Sequence, residues 1–106
     1  MYEVSDLESD RPARSSEIRI YGLDEFDGMR RAGRMVAEAL DMIAEHVKPG
    51  VTTGELDDLI REWTLAQGAK PACLGYKGYE KTTCISINHV VCHGIPGDRV
   101  LKEGDI

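Results

Sequence analysis

Phe26, Met29, Gly33, Val36, Leu40, Ile43 and Val47 are spaced alternately by three and four residues, which aligns them along one face of an α-helix. A stripe that long has to be covered, so the chain is committed to a packed helical layer. Asp24 and Glu25 lie in the first turn, where acids favour the positive end of the dipole. Lys48-Pro49-Gly50 ends the pattern, and His46 falls in the predicted last turn, where a cation complements the dipole. Gly33 costs about 1 kcal/mol against Ala inside a helix, so a close backbone contact is expected there.

A second helix carries its own start signal. Thr52 with Glu55 three residues on forms a capping box, and Val51 can pack on Leu56 as a hydrophobic staple. Leu56, Leu59, Ile60 and Trp63 make its apolar face, and Gly68 suits the position after the C-cap. The short connection between the two patterns predicts an antiparallel helical hairpin.

From Gly68 onward the character changes, with six of the eleven glycines and all three cysteines. Thr83, Ile85 and Ile87 alternate with Cys84 and Ser86 as in a strand with two faces, and Val90-Val91-Cys92 is a second short strand. Gly94-Ile95-Pro96-Gly97-Asp98 is a loop, because Pro96 and two glycines interrupt any ladder. Glu103-Gly104-Asp105 reads as a turn. The expected class is α/β (α+β), two antiparallel helices followed by antiparallel strands.

Residues 1–17 hold Glu3, Asp6, Glu8, Asp10 and Glu17 with only Val4 and Leu7 as branched apolar residues, so they are expected to be a flexible acidic tail. Ile18-Arg19-Ile20-Tyr21 is a strand or an extended lead-in. A chain of 106 residues allows one domain, here placed at 18–106. The net charge of −6 argues against a nucleic-acid surface built on bulk charge. No apolar run approaches a membrane span, and the first twenty residues lack a signal-peptide core. Cys73, Cys84 and Cys92 cannot all pair and form no C-x-x-C motif, which points to a reducing, cytoplasmic compartment.

The residues capable of chemistry are few. Cys92-His93 suggests a thiol with its base, but neighbours in a strand point to opposite faces. The three cysteines lack paired zinc-ligand spacing, and Cys84 and Cys92 read as small buried strand residues. His93 leaves an apolar strand into a Gly-Ile-Pro-Gly loop, where functional groups are commonly presented. That position admits a structural reading as readily. His89 follows Asn88 in an expected turn and reads as solvent-exposed. Cys73-Leu-Gly-Tyr-Lys-Gly-Tyr79 combines two glycines with two amphipathic rings, which suits a pocket wall or a loop pinned by its tyrosines. It lacks the spacing of a phosphate loop.

Five segments then occur in order. They are Met29-Arg30-Arg31-Ala32-Gly33-Arg34, Val47-Lys48-Pro49-Gly50-Val51-Thr52-Thr53-Gly54-Glu55-Leu56, Ala72 to Tyr79, Cys84-Ile85-Ser86-Ile87-Asn88 and Val91-Cys92-His93-Gly94-Ile95-Pro96. Together they resemble the type I bacterial methionine aminopeptidases, from about Tyr21 to Ile106.

The resemblance implies the pita-bread (creatinase/aminopeptidase-like) fold of two pseudo-symmetric halves, of which this chain looks like the N-terminal one. It implies removal of the initiator Met from nascent proteins by two-metal hydrolysis, with a metal-bridging hydroxide as nucleophile. The two divalent ions (Co, Mn, Fe or Zn) are held in the family by two Asp, one His and two Glu that follow the segment present here. No metal ligand is therefore expected in this chain, and the piece alone is expected to be inactive. His93 matches the catalytic histidine that hydrogen-bonds the scissile peptide. Cys73, Tyr76, Tyr79 and Cys84 match the pocket for the Met side chain, where thioether sulfur packs well on ring edges. Lys77 replaces the histidine common at its position, which bears on contacts at the pocket rim. Asn88 and the Val90 carbonyl match a structural monovalent-cation site. The implied partners are N-terminal Met peptides and a transient ribosome contact, with no membrane and a monomeric full-length enzyme. Two other classes fit the same residues: a non-catalytic binding protein of this fold, and a free-standing interaction module.

Overall fold

The computed structural model describes residues 18–106, and the expected tail lies outside them. Among the described residues the order is helix α1 (Leu23–Ala44), helix α2 (Thr53–Ala66) and a 3₁₀ turn (Tyr76–Gly78), followed by extended and irregular backbone. Residues 18–21 are an irregular lead-in, and the Arg19 guanidinium stacks 4.8 Å from the Tyr21 ring centroid. At the start of α1 the Gly22 N–H donates to the Glu25 carboxylate at 2.9 Å. Those backbone donors, its own N–H first and that of Gly22 next, hold the Glu25 carboxyl below its usual range. α1 stops at Ala44, before the Lys48-Pro49-Gly50 signal, and the His46 N–H closes a turn on the Ile43 carbonyl at 2.9 Å. His46 thus lies beyond the helix and not in its last turn.

α1 presents its apolar stripe to solvent. Leu40 is 63% exposed, Met29 65% and Val36 44%, and among the stripe's residues only Ile43 is buried. The covered positions are Gly28 and Ile43, with Ala32, Met35, Ala39 and Met42 partly covered. They form a neighbouring face on which Gly28, Ala32 and Ala39 alternate with the larger Met35, Met42 and Ile43. A Cβ added at Gly33 would meet nothing within 4 Å, so the close contact expected there is not made among the described residues.

α2 matches its sequence signal closely. The Thr52 hydroxyl accepts the Glu55 N–H at 3.1 Å, and the Glu55 carboxylate accepts the Thr52 N–H at 2.8 Å. Gly68 follows the C-cap Gln67 with φ +77°, and its N–H bonds the Leu65 carbonyl at 3.0 Å. Leu56 is buried, and Leu59, Ile60 and Trp63 are partly covered. The two helices touch each other.

Segment 97–101 is stitched to the start of α2. Gly50 N–H reaches the Leu101 carbonyl at 2.8 Å, Leu101 N–H the Val51 carbonyl at 2.8 Å, and Thr53 N–H the Arg99 carbonyl at 3.0 Å. The Gly54 N–H bonds the Gly97 carbonyl at 2.8 Å, and a Cβ on Gly54 would stand 2.9 Å from that oxygen. Only glycine fits there without displacement. Among the described residues this pairing amounts to one antiparallel bridge, Thr52 with Val100, and no strand is formed.

The segments expected as strands, 83–87 and 90–92, are extended but carry no ladder. Ile85 N–H bonds the Gly94 carbonyl at 2.8 Å, but the return bond from Gly94 N–H goes to the Ser86 hydroxyl at 3.1 Å. Pro96 then offers no donor, so the pairing does not propagate. Among the described residues the buried apolar side chains are few: Ile43, Leu56, Pro71, Ile87 and Pro96. Beside them lies a groove of about 560 Å³, lined by Leu40, Ile43, Leu56, Ile60, Ile87 and Leu101 among others.

Candidate functional site

The loop from Cys73 to Tyr79 is a compact turn closed on itself. Tyr76 N–H bonds the Cys73 carbonyl at 3.1 Å, and Gly75 N–H bonds the Tyr79 carbonyl at 2.7 Å. Gly75 and Gly78 take φ of +83° and +82°, so the glycine spacing that marks this loop is required by its backbone. Lys77 also adopts a positive φ, 48°, and its ammonium lies 5.4 Å from the Tyr76 ring centroid. Tyr76 is half-exposed and Cys73 is exposed.

Tyr79 links this loop to the next segment. Its hydroxyl donates to the Thr83 carbonyl at 2.7 Å and lies 3.6 Å from Cys84 Sγ. Either the phenol or the thiol can donate in this second contact. The Tyr79 hydroxyl is pushed up to about 12, first by its hydrogen bond with Cys84 and then by burial, with smaller contributions from Asp57 and Cys73. Tyr79, Cys84 and Cys73 therefore share one neighbourhood.

Cys84 and Cys92 are both exposed, which corrects their reading as small buried strand residues. The ladder that was to bury them is not formed, and Cys84 instead turns its sulfur to the Tyr79 phenol.

The segment bearing Cys84 is anchored by a residue that sequence reading passed over. Asp57 on α2 is fully buried, and its carboxylate accepts the Thr82 N–H at 3.1 and 3.2 Å, the Thr83 N–H at 2.7 Å and the Thr83 hydroxyl at 2.6 Å. Arg61, one turn further on, reaches the same carboxylate at 3.4 Å and the Thr82 hydroxyl at 3.2 Å. A buried carboxylate is tolerated when donors surround it in this way. The signal was available: Asp57 stands on the inward face between Leu56 and Ile60, with Arg61 four residues along.

His93 is held in a left-handed conformation, φ 54°, with its side chain exposed. Its position is set by Gly94, whose two backbone groups are taken by Ile85 and Ser86. A Cβ on Gly94 would overlap the Ile85 carbonyl oxygen. Non-glycine residues at positive φ are uncommon, and among the described residues there are three, Lys77, Asn88 and His93. His89 is exposed in a turn, as expected.

Asn88 spends its side chain on the end of the chain. Its amide donates to Asp105 at 2.9 Å and its carbonyl accepts the Ile106 N–H at 3.0 Å, while its own N–H bonds the Ile106 carbonyl at 2.7 Å. Val90 N–H closes the turn on Ile87 at 3.1 Å. Asp105 also accepts the Lys102 N–H at 2.8 Å and lies 3.7 Å from Arg99. These donors, Asn88 first, hold its carboxyl below the usual range.

Among the described residues no three His, Cys, Asp or Glu side chains converge on a point that could hold a metal ion. The donor set within 18–106 thus does not fit a divalent metal. No helix among them is long and apolar enough to cross a membrane.

Residues 27–106 match the sequence model of the family described as Metallopeptidase family M24. The chain is 54% identical over 89 residues to the methionine aminopeptidase of Rickettsia prowazekii, covering 84% of this chain and 34% of that protein. It is 56% identical over 91 residues to that of Escherichia coli K12, with the same coverage of 84% and 34%. The backbone superposes on the crystal structure of the Rickettsia prowazekii enzyme with a TM-score of 0.81 at 53% identity, covering 84% of this chain and 36% of that one. The corresponding figures for the methionine aminopeptidase of Thermotoga maritima are 0.80, 41%, 85% and 36%. The chain spans about a third of the length of the relatives it matches.

Proposed function

The chain belongs to metallopeptidase family M24, and on that premise we propose that it acts as the N-terminal part of a methionine aminopeptidase, releasing initiator Met from nascent chains. What supports the reading is the agreement in backbone and sequence with solved methionine aminopeptidases, at a TM-score of 0.81 and 53% identity. The solvent-facing stripe of α1 and the apolar groove beside it fit the same reading, since a further layer of protein would cover them. In the complete pita-bread fold, segments 83–87 and 90–92 gain the partners that turn extended chain into paired strands.

In this reading Cys73, Tyr76, Tyr79 and Cys84 form the wall that receives the Met side chain. His93 donates a hydrogen bond to the scissile peptide. Its left-handed backbone and the tight approach of Gly94 to Ile85 supply the rigidity such a role needs. The divalent ions belong to residues outside this chain, and Asn88 with the Val90 carbonyl would hold a monovalent cation. The enzyme would work as a cytoplasmic monomer in transient contact with the ribosome.

The test is activity of the complete enzyme, or of a hybrid in which residues 18–106 replace the matching segment of the Rickettsia prowazekii protein. Release of Met from a Met-Ala-Ser peptide in the presence of Co²⁺ or Mn²⁺ is the expected result. A folded, metal-loaded hybrid that releases nothing would favour a non-catalytic binding protein of the same fold.

A further inference from the structure

A line of hydrogen bonds runs from α2 to the residues expected to receive the Met side chain. The Asp57 carboxylate takes the backbone N–H groups of Thr82 and Thr83 and the Thr83 hydroxyl. The carbonyl of that same Thr83 takes the Tyr79 phenol at 2.7 Å, and the phenol oxygen in turn meets Cys84 Sγ at 3.6 Å. Among the described residues little else packs on this line, because Tyr79 is only partly covered and Cys84 is exposed. The rigid end is the fully buried Asp57, locked on a helix and braced by Arg61.

Resting on the reading of this chain as part of a methionine aminopeptidase, we propose that Asp57 is a positioning residue for side-chain selectivity, setting through Thr83 where Tyr79 and Cys84 stand in the Met pocket. Asp57 touches no substrate in this scheme. Its carboxylate accepts from every neighbour, so Asn in its place would turn one acceptor into a donor facing the N–H groups of Thr82 and Thr83. The segment would shift away, the Tyr79 and Cys84 walls would separate, and the pocket would lose its fit to an unbranched thioether.

The experiment compares Asp57→Asn and Thr83→Val with the unmodified hybrid enzyme on Met-Ala-Ser and norleucine-Ala-Ser peptides. Thr83→Val replaces the hydroxyl bond to Asp57 by a methyl group and keeps the backbone N–H bonds of Thr82 and Thr83, so it is the milder perturbation of the two. Asp57→Asn is expected to lower kcat/KM for the Met peptide by about tenfold or more, mainly through KM, and to narrow the preference for Met over norleucine. Thr83→Val should move both in the same direction by a smaller factor. Metal content should be unchanged, and the late phenolate step of Tyr79 should move to lower pH in Asp57→Asn. Variants that melt earlier but keep kcat/KM, peptide preference and the Tyr79 titration would overturn the proposal and leave Asp57 a structural anchor. An unmodified hybrid without activity on either peptide takes down the functional reading and this proposal with it.

Discussion

The Tyr79 phenol oxygen stands 3.6 Å from Cys84 Sγ while the hydroxyl donates to the Thr83 carbonyl at 2.7 Å. The hydrogen-bonded contact with Cys84 is the largest cause that pushes the hydroxyl up to about 12, followed by burial, because a phenolate would stand beside the sulfur in a partly covered site.

That relationship has a pH consequence. The folded value lies above the ordinary 10.0, so the contribution to stability is complete below pH 10.0 and is lost as pH rises through about 12. In a spectrophotometric phenolate titration, Tyr79→Phe should remove the last step. Cys84→Ala should bring that step to lower pH. A titration unchanged by Cys84→Ala would exclude the thiol as the main cause.

Asp105 behaves with the opposite sign. Its carboxyl is held below 3.8 by Asn88 first and the Lys102 N–H next, so it stabilises the fold above pH 3.8 and the contribution is lost as pH falls through the lowered value. Asn88→Ala should raise the Asp105 value, followed by carboxyl-carbon NMR, and shift acid unfolding to higher pH.

The reciprocal bonds of Thr52 and Glu55 define the start of α2. Thr52→Ala should destabilise the complete enzyme by about 0.5–2 kcal/mol, and Glu55→Ala should cost less once Thr52 is already gone. A denaturant-unfolding double-mutant cycle measures the coupling, and strictly additive losses would show that the two bonds act independently.

Leu40 is 63% exposed on the α1 stripe. If the rest of the enzyme covers that stripe, Leu40→Ala in the complete protein should cost about 2–5 kcal/mol, as for a core leucine. A surface leucine would change stability by about 0.5 kcal/mol or less, and that result would mean that the stripe faces solvent in the whole protein.

If His93 hydrogen-bonds the scissile peptide as proposed, His93→Ala in the complete protein is expected to lower kcat about 10²–10³-fold with metal content unchanged, the usual loss of one transition-state hydrogen bond. His89→Ala, in the exposed turn, should do much less. Near-normal kcat with a lower melting temperature would reduce His93 to a structural residue.

Local rules carried the sequence reading of α2. Its cap, its apolar face and the positive φ at Gly68 are decided by residues within one turn of each other, so they were legible without the rest of the molecule. The same holds for the Cys73–Tyr79 turn, where Gly75 and Gly78 both take positive φ, and for the five segments that resemble an aminopeptidase. The covered face of α1 was not legible. Periodicity shows that Phe26, Val36 and Leu40 share a side, but a stripe says only that something should cover it, and within this chain the neighbouring face around Gly28 and Ala39 is the one covered.

Among the described residues the expected strands are unpaired and the cysteines exposed for a related reason: alternation describes one segment, whereas a ladder needs a partner at the right register, and Gly94 bonds the Ser86 hydroxyl in place of a backbone group. Asp57 shows the limit most plainly. Its charge and its inward position on α2 could be read from the chain, but its partners Thr82 and Thr83 lie 25 and 26 residues away. The sequence by itself determined the two helices, the caps of α2 and the family. Only the tertiary structure decided which face is covered and what holds Tyr79 against Cys84, because both depend on contacts between segments whose spacing along the chain carries no trace of their meeting.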